Sequence, residues 1–349
     1  MKNEMAAYVV ERETGPSGLK LSTLPRPVPQ MGEVLIRVRA SSLNYRDHLT
    51  TSAQYGPGHT MTGRIPVSDG AGEIVEIGAG VTGFKAGDRV TANFFPTWIS
   101  GPASGEQLKA ALGGAFAPGM LAEYIAVPAN SLVALAASMS FEEAATLPCA
   151  GVTAWYALFD TFKLQPGQTV VVQGTGGVSI YALQLAKMAG AKVIVTSSSD
   201  EKLERAKALG ADHGVNYVTT PDWDKEVKKL TGGHGADIIV EVGGTGTIEK
   251  SLSAAAIGGG IAVIGILSGV QSQISLFQVL AKQVRLHGVY VGAREHLAAL
   301  TEAMAINKVK PVIDRVFPFK DAVAAFAYQA SNKHFGKIVV AHDLAGSQK

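Results

Sequence analysis

Residues Thr169–Ala189 read TVVVQGTGGVSIYALQLAKMA. An apolar run of strand character leads into Gly174-Thr175-Gly176-Gly177-Val178-Ser179, and helix formers follow. Glycine has two uses in such a turn. One glycine permits the tight reversal, and another lets backbone N–H groups approach a pyrophosphate at the helix N-terminus. A lone GxGxxG is weak evidence, but between a strand and a helix inside a βαβ unit it is the fingerprint of dinucleotide binding. Gly174, Thr175, Gly176, Gly177 and Val178 are therefore candidate cofactor contacts. Ser179 stands where a third glycine is usual, which predicts slightly looser packing of helix on strand.

Working outward, strand-like runs alternate with helical segments from about Ser140 onward: Thr169–Gln173, Lys192–Thr196, Asp237–Val242, Ile261–Ile266 and Arg285–Val291. This alternation predicts a parallel sheet covered by helices. After the second run Asp200 is placed to cap a helix that Gly210 ends. A helix over Arg294–Ile306, a run at Pro311–Phe317, a helix over Lys320–Ser331 and a strand at Lys337–Ala341 complete the chain. Before Ser140 the pattern is strands and turns, with Val34–Ala40 and Gly72–Ile77 the clearest strands. Gly101–Gly119 reads as a surface loop of small residues.

The second strand of the fingerprint unit gives the cofactor its finer identity. An acidic residue about 20 positions past the glycines binds the ribose 2′-hydroxyl of NAD. Here Ser197-Ser198-Ser199 stands in its place, with Lys202 close behind to neutralise a 2′-phosphate. The expected cofactor is NADP(H).

Composition narrows the rest. The chain has 349 residues, 47% hydrophobic and 17% charged, which predicts a core-rich protein of two domains. Its formal net charge of +2, with no basic stripe, predicts no nucleic-acid partner. No apolar run approaches the roughly 20 residues that span a bilayer, so no membrane partner is expected. Met1–Arg12 lacks a signal-peptide core, and the single cysteine, Cys149, rules out an intramolecular disulfide; both fit a cytoplasmic location.

Further segments carry a family resemblance across nearly the whole chain. They include Gly32-Glu33-Val34-Leu35-Ile36, Gly70-Ala71-Gly72-Glu73-Ile74-Val75, Gly78-Ala79-Gly80-Val81 and Phe84-Lys85-Ala86-Gly87-Asp88-Arg89-Val90. Thr153-Ala154-Trp155, Glu204-Arg205-Ala206, Leu209-Gly210-Ala211-Asp212 and Gly336-Lys337-Ile338-Val339 extend it. The chain resembles the medium-chain dehydrogenases/reductases, the superfamily of zinc alcohol dehydrogenases, quinone oxidoreductases and enoyl reductases. The resemblance implies an α/β protein with a GroES-like, β-rich catalytic domain at residues 1–150 and 292–349. A Rossmann doubly wound parallel-sheet cofactor domain is inserted at 151–291, with the active site in the cleft. It adds Tyr217 to Ser197, Ser198 and Lys202 as marks of NADPH selectivity. It also implies cofactor contacts at Thr153, Gly243, Gly265, Leu267, Val291 and Lys337.

Zinc-dependent relatives supply three ligands, from a cysteine, a Gly-His-Glu triplet and a second cysteine or aspartate. Here those positions hold Asn44, Val67-Ser68-Asp69 and Cys149. A single thiol does not hold zinc, and Thr91–Pro128 contains no cysteine for a structural zinc lobe. No metal is therefore expected. Arg46 replaces the hydroxyl of the proton relay, and Asp47 is expected to brace its loop. Leu43-Asn44-Tyr45-Arg46-Asp47, followed by Tyr55, is similar to a stretch of enoyl and acrylyl-CoA-type reductases. That similarity implies Tyr55 as proton or hydrogen-bond donor and Asn44 as a polar partner near the nicotinamide.

The leading expectation is an NADPH-dependent reductase of an activated C=C bond or a quinone. An alcohol dehydrogenase or carbonyl reductase is the alternative, and an NADPH-binding protein without turnover, as among lens proteins of this superfamily, is a third. Arg285–Val291 at the sheet edge predicts a homodimer or homotetramer.

Overall fold

A computed structural model describes residues 3–54 and 60–342. The chain forms two compact units, Met1–Val152 with Val291–Lys349, and Thr153–Tyr290.

In the first unit, a seven-stranded sheet runs in the order Ile313–Pro318, Lys337–Ala341, Glu33–Leu43, Asp69–Ile77, Arg89–Ala92, Leu132–Ala134, and Tyr124–Pro128 also pairs with Glu33–Leu43. A separate hairpin joins Glu4–Val10 to Leu19–Pro25. Val34, Ile36 and Val38 alternate along the long central strand and bury one face with Val90, Leu121, Phe326, Ile338 and Val340. Gly72 faces that strand where the register shifts, and a Cβ there would lie 2.1 Å from the Arg37 carbonyl oxygen. The close approach of two backbones requires glycine.

In the second unit, six strands are all parallel, in the order His213–Asn216, Lys192–Ser197, Thr169–Gln173, Ala236–Glu241, Ala255–Val263, Arg285–Gly288. Every residue of Thr169–Gln173 is buried, as expected of a central strand covered on both faces. Parallel packing gathers the C-terminal ends of the strands at one edge of the sheet. The glycine turn, Ser197 and the loop after Glu241 all lie there.

Several sequence expectations change. Ser179 does not loosen the helix: its buried hydroxyl donates to the Gln173 carbonyl at 2.6 Å and ties helix to strand. The cap of the next helix is Ser199, whose Oγ accepts from the Lys202 N–H. Asp200 is the first helical residue, and its carboxylate accepts from Asn216 instead. Gly101–Gly119 is not a plain surface loop. Ser104 caps a short helix at Gly105–Lys109, Leu112 is buried, and Gly119 lies so close to Pro66 that a Cβ would meet its carbonyl oxygen at 2.2 Å. The strand expected at Ile261–Ile266 spans Ala255–Val263, and His213–Asn216 is a strand too short to show in the sequence pattern.

Arg285–Gly288 forms one edge of the parallel sheet, with all four residues exposed. Leu276, Phe277 and Leu280, on the preceding helix Leu276–Lys282, are 75%, 74% and 76% exposed. Among the described residues no helix is long and apolar enough to cross a membrane.

Candidate functional site

The nucleotide cradle belongs to the second unit. Gly174 adopts φ +70°, a left-handed conformation that favours glycine, and ends the strand sharply. A Cβ at Gly174 or Gly176 would meet nothing within 4 Å, so open space lies against the backbone of the turn. The 12-residue helix Gly177–Met188 begins there with no side chain capping its N-terminus. Uncapped N–H groups beside open space fit a pyrophosphate. Ser197 is buried and Ser198 exposed at the end of Lys192–Ser197, with Lys202 half-buried and Tyr217 exposed nearby in the chain. The Tyr217 N–H donates to the Ser197 carbonyl, which fixes the two positions together. Asp200, the nearest carboxylate in sequence, is held by Asn216 Nδ2 at 2.8 Å.

A buried carboxylate braces this cradle, and sequence reading missed it. Glu241 Oε1 accepts from the Gly243 and Gly244 N–H groups at 2.8 and 3.0 Å and from Thr247 Oγ1. Its Oε2 accepts from Gln173 Nε2 at 2.8 Å and from Ser251 Oγ. Gln173 Oε1 in turn accepts from the Val242 and Gly243 N–H groups. Adjacent strand ends are thereby stitched side by side. The signal lay in ADIIVE and TVVVQ, where a polar residue closes an otherwise apolar run. Gly243 and Gly265 sit in this loop system with no room for a Cβ, which would meet Thr247 Oγ1 at 2.2 Å and the Val242 oxygen at 2.3 Å. Leu267 is exposed, Thr153 is buried in Val152–Trp155, and Val291 adopts φ +60° in the other unit.

A second cluster lies wholly within the first unit. Asn44 precedes the helix Tyr45–Thr51, and its backbone N–H donates to Asp47 Oδ2 at 2.8 Å. This leaves the Asn44 carboxamide for other partners: Oδ1 accepts from Lys337 Nζ at 2.6 Å, and Nδ2 lies 3.5 Å from Ser68 Oγ. The Ser68 hydroxyl donates to Asp69 Oδ1 at 2.7 Å, and the Cys149 N–H donates to Asp69 Oδ2 at 2.9 Å. Lys337 Nζ donates also to the Leu43 carbonyl at 2.6 Å. Asn44, Ser68 and Cys149, apart in sequence, thus meet around one carboxylate. Val67 holds φ +75°, strained for a β-branched residue, and its carbonyl accepts from the Met120 N–H. Arg46 is buried 4.8 Å above the Phe94 ring and donates to the Leu112 carbonyl. Tyr55 lies outside the described residues.

Burial dominates the electrostatics of this cluster. It raises Asp69, against the pull of Lys337 and the hydrogen bonds from Ser68 and Asn44. The Lys337 amine is pushed down by burial and held up in part by Asp69. Burial and the Asp69 charge raise the Cys149 thiol.

Two family models match the chain: the alcohol dehydrogenase GroES-like domain over residues 30–137 and the zinc-binding dehydrogenase over residues 177–305. A zinc-type alcohol dehydrogenase-like protein of Schizosaccharomyces pombe is 42% identical over 325 residues, spanning 90% of this chain and 93% of that protein. A 2-haloacrylate reductase of a Burkholderia species is 28% identical over 351 residues, 96% of this chain and 98% of that one. Among solved structures, an NAD-dependent alcohol dehydrogenase matches with a TM-score of 0.88 at 35% identity, covering 97% of this chain and 100% of its own.

The residues at the implied metal position do not fit zinc. The Asn44 oxygen is engaged by Lys337, the Ser68 hydroxyl is turned to Asp69, and only one thiol stands beside them. Among the described residues no three His, Cys, Asp or Glu side chains converge as a metal site.

Asp47 yields a pH test. Burial raises its carboxyl from 3.8 to about 6, opposed by Arg46 and the Asn44 N–H and assisted by Asp69. A folded carboxyl that binds its proton more tightly than the unfolded chain stabilises the fold at low pH. That contribution is lost as pH rises. Relative to Asp47→Asn, the parent protein should lose up to about 3 kcal/mol between roughly pH 4 and pH 6, then run level. Urea denaturation of both proteins from pH 4 to 8 reads this directly, and a difference of the opposite slope refutes it.

Proposed function

The chain belongs to the medium-chain dehydrogenases/reductases, among their alcohol dehydrogenase-like oxidoreductases, and on that premise we propose a zinc-independent, NADPH-dependent reductase of an activated C=C bond or quinone-type small molecule. The observation that carries the reading is the Lys337–Asn44–Ser68–Asp69 chain, which puts hydrogen-bonding groups where zinc-dependent relatives bind metal. The nicotinamide cofactor, when bound, supplies a hydride. An enone accepts hydride at its β-carbon without a metal, because the charge passes to its oxygen. The Asn44 amide is then the donor to that oxygen, and Tyr55 gives its hydroxyl proton to the α-carbon, which completes addition across the double bond. A phenol stays protonated near pH 7, as a donor must. The relative named 2-haloacrylate reductase supports this substrate class.

The choice of NADPH rests on local chemistry. The serines after Lys192–Ser197 leave no carboxylate for a ribose diol, and Asp200 is engaged by Asn216. Ser198, Lys202 and Tyr217 are the proposed 2′-phosphate contacts. The structural relative named NAD-dependent alcohol dehydrogenase favours the other cofactor, and with the zinc-type alcohol dehydrogenase-like relative it favours a second reading, an alcohol dehydrogenase or carbonyl reductase.

The chain is also proposed to form a homodimer, or a dimer of such dimers, with a second copy on the exposed edge strand Arg285–Gly288. The open ladder and the apolar residues Leu276, Phe277 and Leu280 occur together there, and pairing two copies covers both. Light scattering at micromolar concentration should report at least a dimer, and Leu280→Glu should shift it toward monomer; a stable parent monomer refutes the proposal.

The reaction is tested by NADPH oxidation with enones, enoyl thioesters, quinones and aldehydes, with and without chelator. Turnover of an enone, unchanged by chelator, is expected. Tyr55→Phe should lower the enone rate by about 10²- to 10⁴-fold, with a smaller loss for a quinone and unchanged NADPH affinity. Full activity in Tyr55→Phe on every substrate would make that residue structural.

Fluorescence titration should give tighter binding of NADPH than NADH. Lys202→Ala should weaken NADPH binding more than NADH binding, since the 2′-phosphate contact is made only with NADPH. Equal affinities in the parent protein would overturn the choice of cofactor.

A further inference from the structure

We infer that Lys337 is a positioning residue for Asn44, fixing which end of its carboxamide is offered to a substrate. The inference deepens the proposed function and rests on Asn44 acting as a donor. A carboxamide is nearly symmetric in shape but not in chemistry: one end accepts, the other donates. Only a partner of unambiguous character sets the orientation. An ammonium has donors and no acceptor, so the Asn44 atom 2.6 Å from Lys337 Nζ is the oxygen.

That assignment aims Nδ2 away from Lys337. Nδ2 lies a long 3.5 Å from Ser68 Oγ, and the Asp69 carboxylate behind it also takes a hydrogen bond from Asn44. A substrate oxygen would take an Nδ2 hydrogen in place of the long contact to Ser68. The opposite flip would present an acceptor to a carbonyl oxygen, which repels it.

Lys337 is itself held rigidly. It is 3% exposed, its Nζ donates to the Leu43 carbonyl as well, and Asp69 and Asp47 oppose the burial that pushes its amine down. Leu43 and Asn44 are consecutive, so the lysine clamps one residue by its backbone and the next by its side chain. The strand Lys337–Ala341 fixes where the lysine stands, because Ile338 pairs with Leu43 in antiparallel register. Resemblance alone made Lys337 a cofactor contact, whereas the hydrogen bonds drawn here are to the protein.

A double-mutant cycle tests the assignment with an enone and NADPH. Asn44→Ala should lower kcat by about 10²-fold, the usual cost of one oxyanion donor. Lys337→Met should lower kcat by about 10- to 10²-fold through misorientation, with KM and NADPH affinity within about twofold of the parent. The double variant should be no slower than Asn44→Ala alone, because the lysine acts only through the asparagine. Losses that multiply in the double variant overturn the inference, as does Lys337→Met that weakens NADPH binding while keeping kcat. Full kcat in Asn44→Ala overturns the donor reading beneath it. A loss at Asn44 with none at Lys337 overturns the positioning alone. Should Lys337→Met not accumulate as folded protein, Lys337→Gln runs the same cycle, and the same outcomes decide.

Discussion

The pairing of the last strand with the first long one holds the catalytic unit together. Lys337–Ala341 lies antiparallel to Glu33–Leu43, so the two ends of the chain share one sheet while the nucleotide unit is spelled out between them. This register delivers an amine, across a separation of 293 residues, to the side chain that opens the helix Tyr45–Thr51. A one-residue slip would turn Lys337 to the opposite face and leave a buried ammonium without oxygens. The sheet and the polar cluster therefore depend on each other. The cluster needs the strand in place, and the strand's register is defended by the cost of misplacing a charge.

Charge is distributed differently in the two units. Around Asn44, carboxylates and cations are interleaved: Asp47 with Arg46, and Asp69 with Lys337. Burial lifts both carboxyls, so ionisation there is bought at some cost in stability and is sustained by neighbours. In the nucleotide unit Glu241 is fully buried, and hydrogen-bond donors surround it: N–H groups, hydroxyls and one amide. Neutral donors from neighbouring strands and the following helix turn it into a knot that holds loop backbone. Substitution of Glu241 would loosen the segment that carries Gly243 and Gly265, without removing a counter-charge from anything.

Much of the fold was legible because periodicity and glycine placement are local. Thr169–Gln173 and Lys337–Ala341 were read to their boundaries, and Arg285 was read as the start of an edge strand. What failed was decided by tertiary contact. His213–Asn216 is too short to carry a pattern, and its strand character comes from pairing with Lys192–Ser197. Gly101–Gly119 looks like a loop because it is rich in glycine, yet Gly113 and Gly119 let its backbone lie against Val67 and Pro66. At the polar site, the residues Asn44, Ser68, Asp69 and Cys149 could be named from resemblance. Their order of hydrogen bonding, and the place of Lys337 in it, could not, because the partners are far apart in sequence. Glu241 was visible as an oddity in an apolar run, but the same oddity in another context is a plain surface residue.

The chemistry asked of this arrangement is modest in a way that suits it. Hydride addition to an isolated carbonyl leaves a full charge on one alkoxide oxygen, which a metal, an acid or preorganised donors can stabilise. Hydride addition to a conjugated double bond leaves an enolate, whose charge is already shared between oxygen and carbon. Preorganisation is then the property that matters, since a donor that must reorient in the transition state forfeits much of its worth. A carboxamide clamped at its oxygen by a buried ammonium cannot turn over without breaking a charge-assisted hydrogen bond. Rigidity at Asn44 is thus built from a lysine on the far end of the chain.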